Sequence, residues 1–431
     1  MRTILKSLFI IFTLLILHFI TISQVYWLQH PSPTQKKLTK SHFVDSLYGW
    51  VIGDSGTVIN TTDGGLNWSV QTSGVHSSEL KDLSFINRNT GWILSFDSTY
   101  KSFIIKTTNS GNTWIKTYFP DTTTILNTIF FYDNDTGYVS GFSGEIYKTS
   151  DAGNTWKKCY IDTTGCLYLF PKEDILFINN LTGYAVGGVL DLQGIFVKTT
   201  NAGTSWFSYC VAAEPLRMVL YRGNGSIALM GGDYDLGSIY AVSSNSGNNW
   251  SYEQTGCWGN ATGFSFRTPA EVWAALNFSG AFAVNLDSMK PGTRWTCINS
   301  PGNVEINDVK FLSETIGYAF GDRGTILKYN ENIIGINPAG SNIPNKTELY
   351  QNYPNPFNPV TVIKFYIHEP AVAEIKIFDV TGKEVMNINM GYLLNGYYNR
   401  NINLSHLPSA VYFYRLITGD ISLSKKMVLT K

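Results

Sequence analysis

Five segments of the chain place an amide or carboxylate, a glycine and a tryptophan at one repeated spacing, and a sixth keeps the three around an insertion. Five follow Ser/Thr-x-Asp/Asn-x-Gly-x-x-Trp: TTDGGLNW (Thr61–Trp68), TTNSGNTW (Thr107–Trp114), TSDAGNTW (Thr149–Trp156), TTNAGTSW (Thr199–Trp206) and SSNSGNNW (Ser243–Trp250). The residues in register are Asp63, Gly65 and Trp68; Asn109, Gly111 and Trp114; Asp151, Gly153 and Trp156; Asn201, Gly203 and Trp206; Asn245, Gly247 and Trp250. A sixth, NLDSMKPGTRW (Asn285–Trp295), keeps Asp287, Gly292 and Trp295 around an insertion. Carboxylates at regular intervals could hold calcium, but calcium sites favour several of them, and Asn stands at 109, 201 and 245. Either side chain can accept hydrogen bonds from the N–H groups of its own turn, the glycine can take a positive φ, and the tryptophan can pack between repeats. These residues are expected to build corners, with no metal bound.

A second set could do ligand chemistry. Aligning the repeats puts Lys40, Asp82, Thr128, Asp174, Met218, Gly263 and Asp308 at equivalent positions near the start of each unit. Lys40, Asp82, Asp174 and Asp308 around one ring could bind a polar ligand or a cation. The alternative is that they are solvated strand ends bonding their own turns. No Ser/His/Asp motif, phosphate-binding loop or dinucleotide fingerprint is present, so neither a catalytic residue nor a cofactor is expected.

The elements that would position these residues are strands. Only 15% of the 431 residues are charged, far below the roughly 25% of an average domain, which excludes a helix-rich surface. Lys and Arg total 32, as do Asp and Glu, so no basic field exists to bind nucleic acid. The 39 Gly, 25 Tyr, 25 Phe and 11 Trp suit short strands joined by tight turns. Each unit reads as an apolar alternating run, a Gly-aromatic step (Gly49-Trp50, Gly91-Trp92, Gly137-Tyr138, Gly183-Tyr184, Gly317-Tyr318), a β-branched run and the tryptophan corner. Four strands per unit of about 40–50 residues is the pattern of a propeller blade. Three-strand groups begin near Leu38, Leu80, Leu126, Ile175, Leu216, Phe264 and Ile306, while the tryptophan-led fourth strands start at Trp68, Trp114, Trp156, Trp206, Trp250 and Trp295. The missing strand is VYWLQHPSPT, where Trp27 precedes Trp68 at the repeat distance. The expectation is an all-β chain with a seven-bladed β-propeller over 24–330, its N-terminal strand completing the last blade.

The corner motif resembles the Asp-box (BNR) repeat, and the whole unit is similar to the repeats of the photosystem II assembly factor family. That resemblance implies the propeller fold. Asp boxes also occur in sialidases and other glycoside hydrolases, so a sialidase-like glycosidase is the alternative to a binding module. Phe266-Arg267-Thr268-Pro269 is similar to the sialidase Phe-Arg-Ile-Pro motif, but that motif belongs ahead of the boxes in the first blade.

The two ends of the chain speak of export. Arg2 and Lys6 precede the apolar run Leu8–Ile22, followed by Ser23-Gln24, which reads as a cleavable signal peptide over 1–23 rather than an uncleaved anchor. The mature chain is expected to carry no transmembrane segment. Five cysteines, Cys159, Cys166, Cys210, Cys257 and Cys297, leave at least one unpaired within the chain; Cys159 and Cys166 are close enough in sequence to bridge a hairpin. Residues 331–348 form a Pro/Gly/Asn-rich linker. From 349 to 431 the repeat stops, and alternating runs with Asp379-Val380-Thr381-Gly382 and Thr418-Gly419-Asp420 turns suggest an Ig-like antiparallel sandwich. Tyr353-Pro354-Asn355-Pro356-Phe357-Asn358-Pro359, Phe378-Asp379-Val380-Thr381-Gly382, Leu407-Pro408-Ser409-Ala410-Val411-Tyr412 and Lys425-Lys426-Met427-Val428-Leu429 resemble the type A C-terminal sorting domain of the type IX secretion system of Gram-negative bacteria. The resemblance implies the type IX machinery as a partner and a secreted or cell-surface destination. The whole reads as an exported, non-catalytic binder of an unknown protein or glycan.

Overall fold

The computed structural model describes residues 26–76, 78–166, 169–330, 346–368, 371–393 and 396–431. The expected signal peptide and most of the expected linker lie outside the described residues. The chain divides into two compact units, which over these residues comprise 27–330 and 346–431.

In the first unit each repeat folds as an antiparallel sheet, and among the described residues there are seven such sheets. Their innermost strands are Leu38–Phe43, Leu80–Phe85, Leu126–Phe131, Lys172–Phe177, Leu216–Gly223, Asn260–Phe266 and Ile306–Phe311. The fourth and sixth begin ahead of the Ile175 and Phe264 that the apolar pattern marks, because Lys172 and Asn260 occupy buried positions where the pattern would want an apolar side chain. Successive innermost strands touch, and the last touches the first, so the sheets close a ring. Trp27–His30 pairs antiparallel with Ile326–Tyr329, with Trp27 opposite Tyr329, and completes the sheet that starts at Ile306. One strand was not legible: Tyr160–Asp162 adds parallel to Ser205–Ala212 as a fifth strand of the fourth sheet.

Aromatic rings fill the space between blades. Trp50 stacks on Phe85 of the next blade at 3.8 Å, Trp92 on Phe131 at 3.6 Å and Tyr138 on Phe177 at 4.1 Å. The Phe of each pair also lies over the Gly of its own blade's Gly-aromatic step. A Cβ at Gly91 would come within 2.3 Å of the Phe85 ring, so the step must be glycine.

The corners work as the residue types imply. Thr61 Oγ1 donates to Asp63 Oδ1 at 2.8 Å and accepts from Gly65 N at 2.8 Å, while Asp63 Oδ1 accepts from Asn67 N at 2.9 Å. Asn109, Asp151, Asn201 and Asn245 repeat the pattern, accepting from the backbone N–H of Thr113, Thr155, Ser205 and Asn249 at 2.8–3.0 Å. Gly111, Gly153, Gly203 and Gly247 donate to the leading Thr or Ser. Gly65 has φ +86°, and a Cβ there would meet the Tyr318 ring at 2.4 Å. Trp68 packs against Tyr318 and Phe320, Trp206 against Tyr138, and Trp250 against Phe196 of the preceding blade. Trp114 packs on Phe85 and Trp156 on Phe131. The sixth corner differs from expectation: Asn285, not Asp287, holds the turn, accepting from Asp287 N and Met289 N at 2.9 and 2.8 Å.

The cysteines also differ from expectation. Cys166 pairs with Cys210 and Cys257 with Cys297, leaving Cys159 free. Both bridges link residues at least 40 apart, because they join a fourth strand to the connection beside it rather than the two sides of one hairpin.

The second unit is a sandwich of a three-stranded and a four-stranded sheet. Ile363, Phe365, Ile375, Ile377, Tyr414 and Leu416 fill the space between them. Its first strand, Glu348–Leu349, starts one residue ahead of the expected boundary. The Asn/Pro-rich motif clasps the last strand: Phe357 N donates to Val428 O at 3.0 Å, and Val428 N to Asn355 Oδ1 at 2.9 Å.

Ring closure rests on Trp27, which stacks on Phe282 at 5.0 Å and meets Trp273 edge-on. Trp27→Ala is expected to cost about 3–5 kcal/mol in urea denaturation, whereas exposed Leu66→Ala should stay within about 0.5 kcal/mol.

Candidate binding pit at the ring centre

Every innermost strand carries the same irregularity. The ladder to the second strand skips one residue in each blade: Thr39, Lys81, Asn127, Glu173, Arg217, Thr262 and Asn307. A bulge of this kind re-aims side chains. The residue that follows each skip is Lys40, Asp82, Thr128, Asp174, Met218, Gly263 or Asp308, and these pair with equivalent positions of their second strands. The seven positions aligned by sequence are thus structurally equivalent, and each has a skipped neighbour that strict alternation would have turned away.

The two sets serve different spaces. A cavity of about 180 Å³ within the ring is lined by Lys40, Asp82, Asp174, Asp308, His42 and Lys310 among others. The acids there do not bond their own turns alone. Asp82 Oδ2 accepts from Ile129 N at 2.8 Å, Asp174 Oδ2 from Val219 N at 3.0 Å, and Asp308 Oδ2 from Ser41 N at 2.7 Å and Ser41 Oγ at 2.6 Å. Each carboxylate staples its blade to the next. Lys40 Nζ lies 2.9 Å from Asp82 Oδ1 and 3.9 Å from Asp174 Oδ1. Gly263 leaves room for this set, since a Cβ there would meet Asp308 Oδ1 at 2.4 Å.

Burial dominates the electrostatics of this cavity. Burial works to lower the Lys40 pKa, but Asp82, Asp174 and Asp308 outweigh it and the ammonium is held above its ordinary value. Burial pushes the Asp174 carboxyl up to about 6, with Lys40 opposing and Asp82 adding. Burial lowers His42 to about 4, helped by Lys310 and Lys40, so its imidazole is neutral at pH 7.

Above this cavity, on the face where the innermost strands begin, opens a pit of about 470 Å³. Six of the seven skipped residues line it: Thr39, Lys81, Asn127, Glu173, Arg217 and Thr262. Lys81 Nζ pairs with Glu79 at 2.6 Å and lies 5.2 Å from the centre of the Phe96 ring. Arg217 Nε is buried without a hydrogen-bond partner, and Phe96, Tyr100 and Phe142 form the lip. Sequence alignment found Lys40 but missed Lys81, Glu173 and Arg217, since nothing in local composition marks a bulge.

Arg267 is placed apart from this pit. It lies beyond the far end of Asn260–Phe266, ion-paired to Glu271, with its Nη1 donating to Glu314 O at 2.9 Å. Its neighbours account for it as a staple between the sixth and seventh blades.

Box corners, aromatic-packed blades and a central pit define an Asp-box β-propeller. Residues 20–330 match the family described as photosynthesis system II assembly factor YCF48, and the chain belongs to that family. Residues 351–430 match the secretion system C-terminal sorting domain, which implies secretion or cell-surface attachment and engagement with a secretion machinery. No curated protein matches the chain by sequence. Among solved structures, YCF48 bound to D1 peptide is similar with TM-score 0.56 and 21% identity, over 72% of this chain and 98% of that one. YCF48 from Cyanidioschyzon merolae is similar with TM-score 0.55 and 17% identity, over 71% and 99%. A GH74 xyloglucanase from Xanthomonas campestris reaches TM-score 0.56 at 10% identity, over 79% of this chain and 59% of that one. These likenesses show the propeller fold. No helix among the described residues is long and apolar enough to cross a membrane.

The raised Asp174 carboxyl has a pH consequence. The unfolded carboxyl ionises near 3.8, so between there and about pH 6 the folded chain keeps a proton that the unfolded chain has lost. Stability attributable to this group therefore falls as pH rises through that window. Asp174→Asn should abolish that decline, read as urea midpoints across the window for both proteins.

Proposed function

We propose that the propeller is a non-catalytic binding module, exported through the type IX system, that holds a protein segment in the central pit; a glycan is the second ligand class. The organisation behind this reading is a signal peptide over 1–23, a seven-bladed propeller over 24–330, a linker over 331–348 and a sorting domain over 349–431. The observation that carries it is the pit: cations Lys40, Lys81 and Arg217 and carboxylates Glu79 and Glu173 line a hollow lipped by aromatic rings. Groups of both signs beside aromatic surface suit the mixed chemistry of a polypeptide. The same face exposes Tyr100, Phe142, Leu192, Tyr234, Trp258 and Phe278, all on its hairpins and connections. A YCF48 propeller has been solved with a D1 peptide bound, which supports a peptide as the class of ligand. Against a glycosidase stands the use already made of Asp82, Asp174 and Asp308, whose carboxylates accept backbone N–H groups of neighbouring blades.

Two outcomes test this. Arg217→Ala together with Lys81→Ala should lose ligand retention on peptide and glycan arrays while the melting temperature stays within a few degrees of wild type. A wild-type chain that retains nothing on either array overturns the binding reading. Truncation after residue 330 should leave the propeller in the periplasm, followed by cell fractionation; normal appearance outside the cell would refute the sorting role of the tail.

A further inference from the structure

Three carboxylates meet away from the pit lining, on the same face of the propeller. Asp191 sits in the turn between Gly183–Val189 and Gln193–Thr199 of the fourth blade. Asp233 ends Ser226–Asp233 of the fifth blade, and Glu214 lies on the connection from Ser205–Ala212 to Leu216–Gly223. One oxygen from each lies within 4.8 Å of the others. Glu214 and Asp233 are only 5% and 2% exposed, while Asp191 is open to solvent.

Such a trio is costly to bury unless something offsets its charge. The turn supplies Asp233 Oδ1 with the N–H groups of Asp235 and Leu236, at 2.8 and 2.5 Å. The Glu214 carboxyl is met by the Asp191 backbone N–H and the Asp233 side chain, but its Oε2 is buried and has no hydrogen-bond partner. None of the ion pairs found among the described residues brings Lys or Arg to these three.

We propose that Asp191, Glu214 and Asp233 bind one divalent cation of the calcium class, clamping the hairpins of the fourth and fifth blades together. The donors are all carboxylate oxygens, which suit a hard cation and exclude the nitrogen and sulfur preference of zinc or copper. A turn, a strand end and an inter-blade connection supply them, an arrangement with more tolerance for calcium's flexible shell than for magnesium's strict octahedron. The site is independent of the ligand reading of the pit.

The test uses the full mature chain, stripped with EDTA and titrated by calorimetry with calcium chloride, then magnesium chloride. One calcium ion per chain should bind, with Kd on the order of 10⁻⁴–10⁻³ M as in extracellular calcium modules, and melting temperature should rise with calcium. Glu214→Gln and Asp191→Asn should each lose saturable binding, whereas Asp420→Asn, exposed on the sorting domain, should keep it. If Glu214→Gln does not fold, Asp191→Asn at its exposed position decides. Absence of saturable calcium binding by the folded wild type overturns the proposal and leaves a proton shared among the carboxyls; so does unchanged binding in Asp191→Asn or Glu214→Gln.

Discussion

Side chains on one blade must pack against the next, and at the first three joins an aromatic ring stacks on a ring of the following blade. A blade of four short strands has two apolar faces and cannot bury either alone. Trp50 on Phe85, Trp92 on Phe131 and Tyr138 on Phe177 supply the join. Each Phe is also pressed onto the glycine of its own blade, so one residue ties strand to strand and blade to blade. The Gly-aromatic step recurs because the geometry recurs.

The stack demands that the ring close, and closure shapes the middle. Where seven innermost strands converge, each must tilt and twist, and each carries a bulge at the same place. In six of the seven blades the bulge brings the skipped residue to the central pit, whereas Asn307 of the seventh donates to Leu38 O. The deeper residue of the pair bonds across blades, as Asp82, Asp174 and Asp308 do. The shallower one, such as Lys81, Glu173 or Arg217, faces the open pit. Structure and ligand chemistry are thereby divided between neighbours in the chain. Lys40 stands at the boundary, lining both spaces, with its charge already met by Asp82 and Asp174.

The box corners lie at the other end of the blades and answer to a local rule. Thr or Ser, then Asp or Asn, then Gly can complete their hydrogen bonds within one turn, which is why the motif is readable without knowing the fold. Asn285 shows the limit of that reading. It replaces the leading Ser/Thr rather than the Asp, and it gathers the N–H groups of Asp287 and Met289 around an insertion that the pattern could not align.

Periodicity, the Gly-aromatic steps, the box corners and the sorting motifs were legible in the sequence because each depends on residues near one another in the chain. Strand pairing within a blade, the part played by Trp27 and the equivalence of Lys40, Asp82, Asp174 and Asp308 followed from counting repeats. Only the tertiary structure decided what depends on distant partners. It paired Cys166 with Cys210 and Cys257 with Cys297, and it gave the three ring acids backbone partners on adjacent blades. It also brought Asp191, Glu214 and Asp233 together. A one-residue bulge leaves no mark in composition, yet it reverses which side chain faces the centre. The corners and blades were therefore written in the sequence, and the pit was made by the closing of the ring.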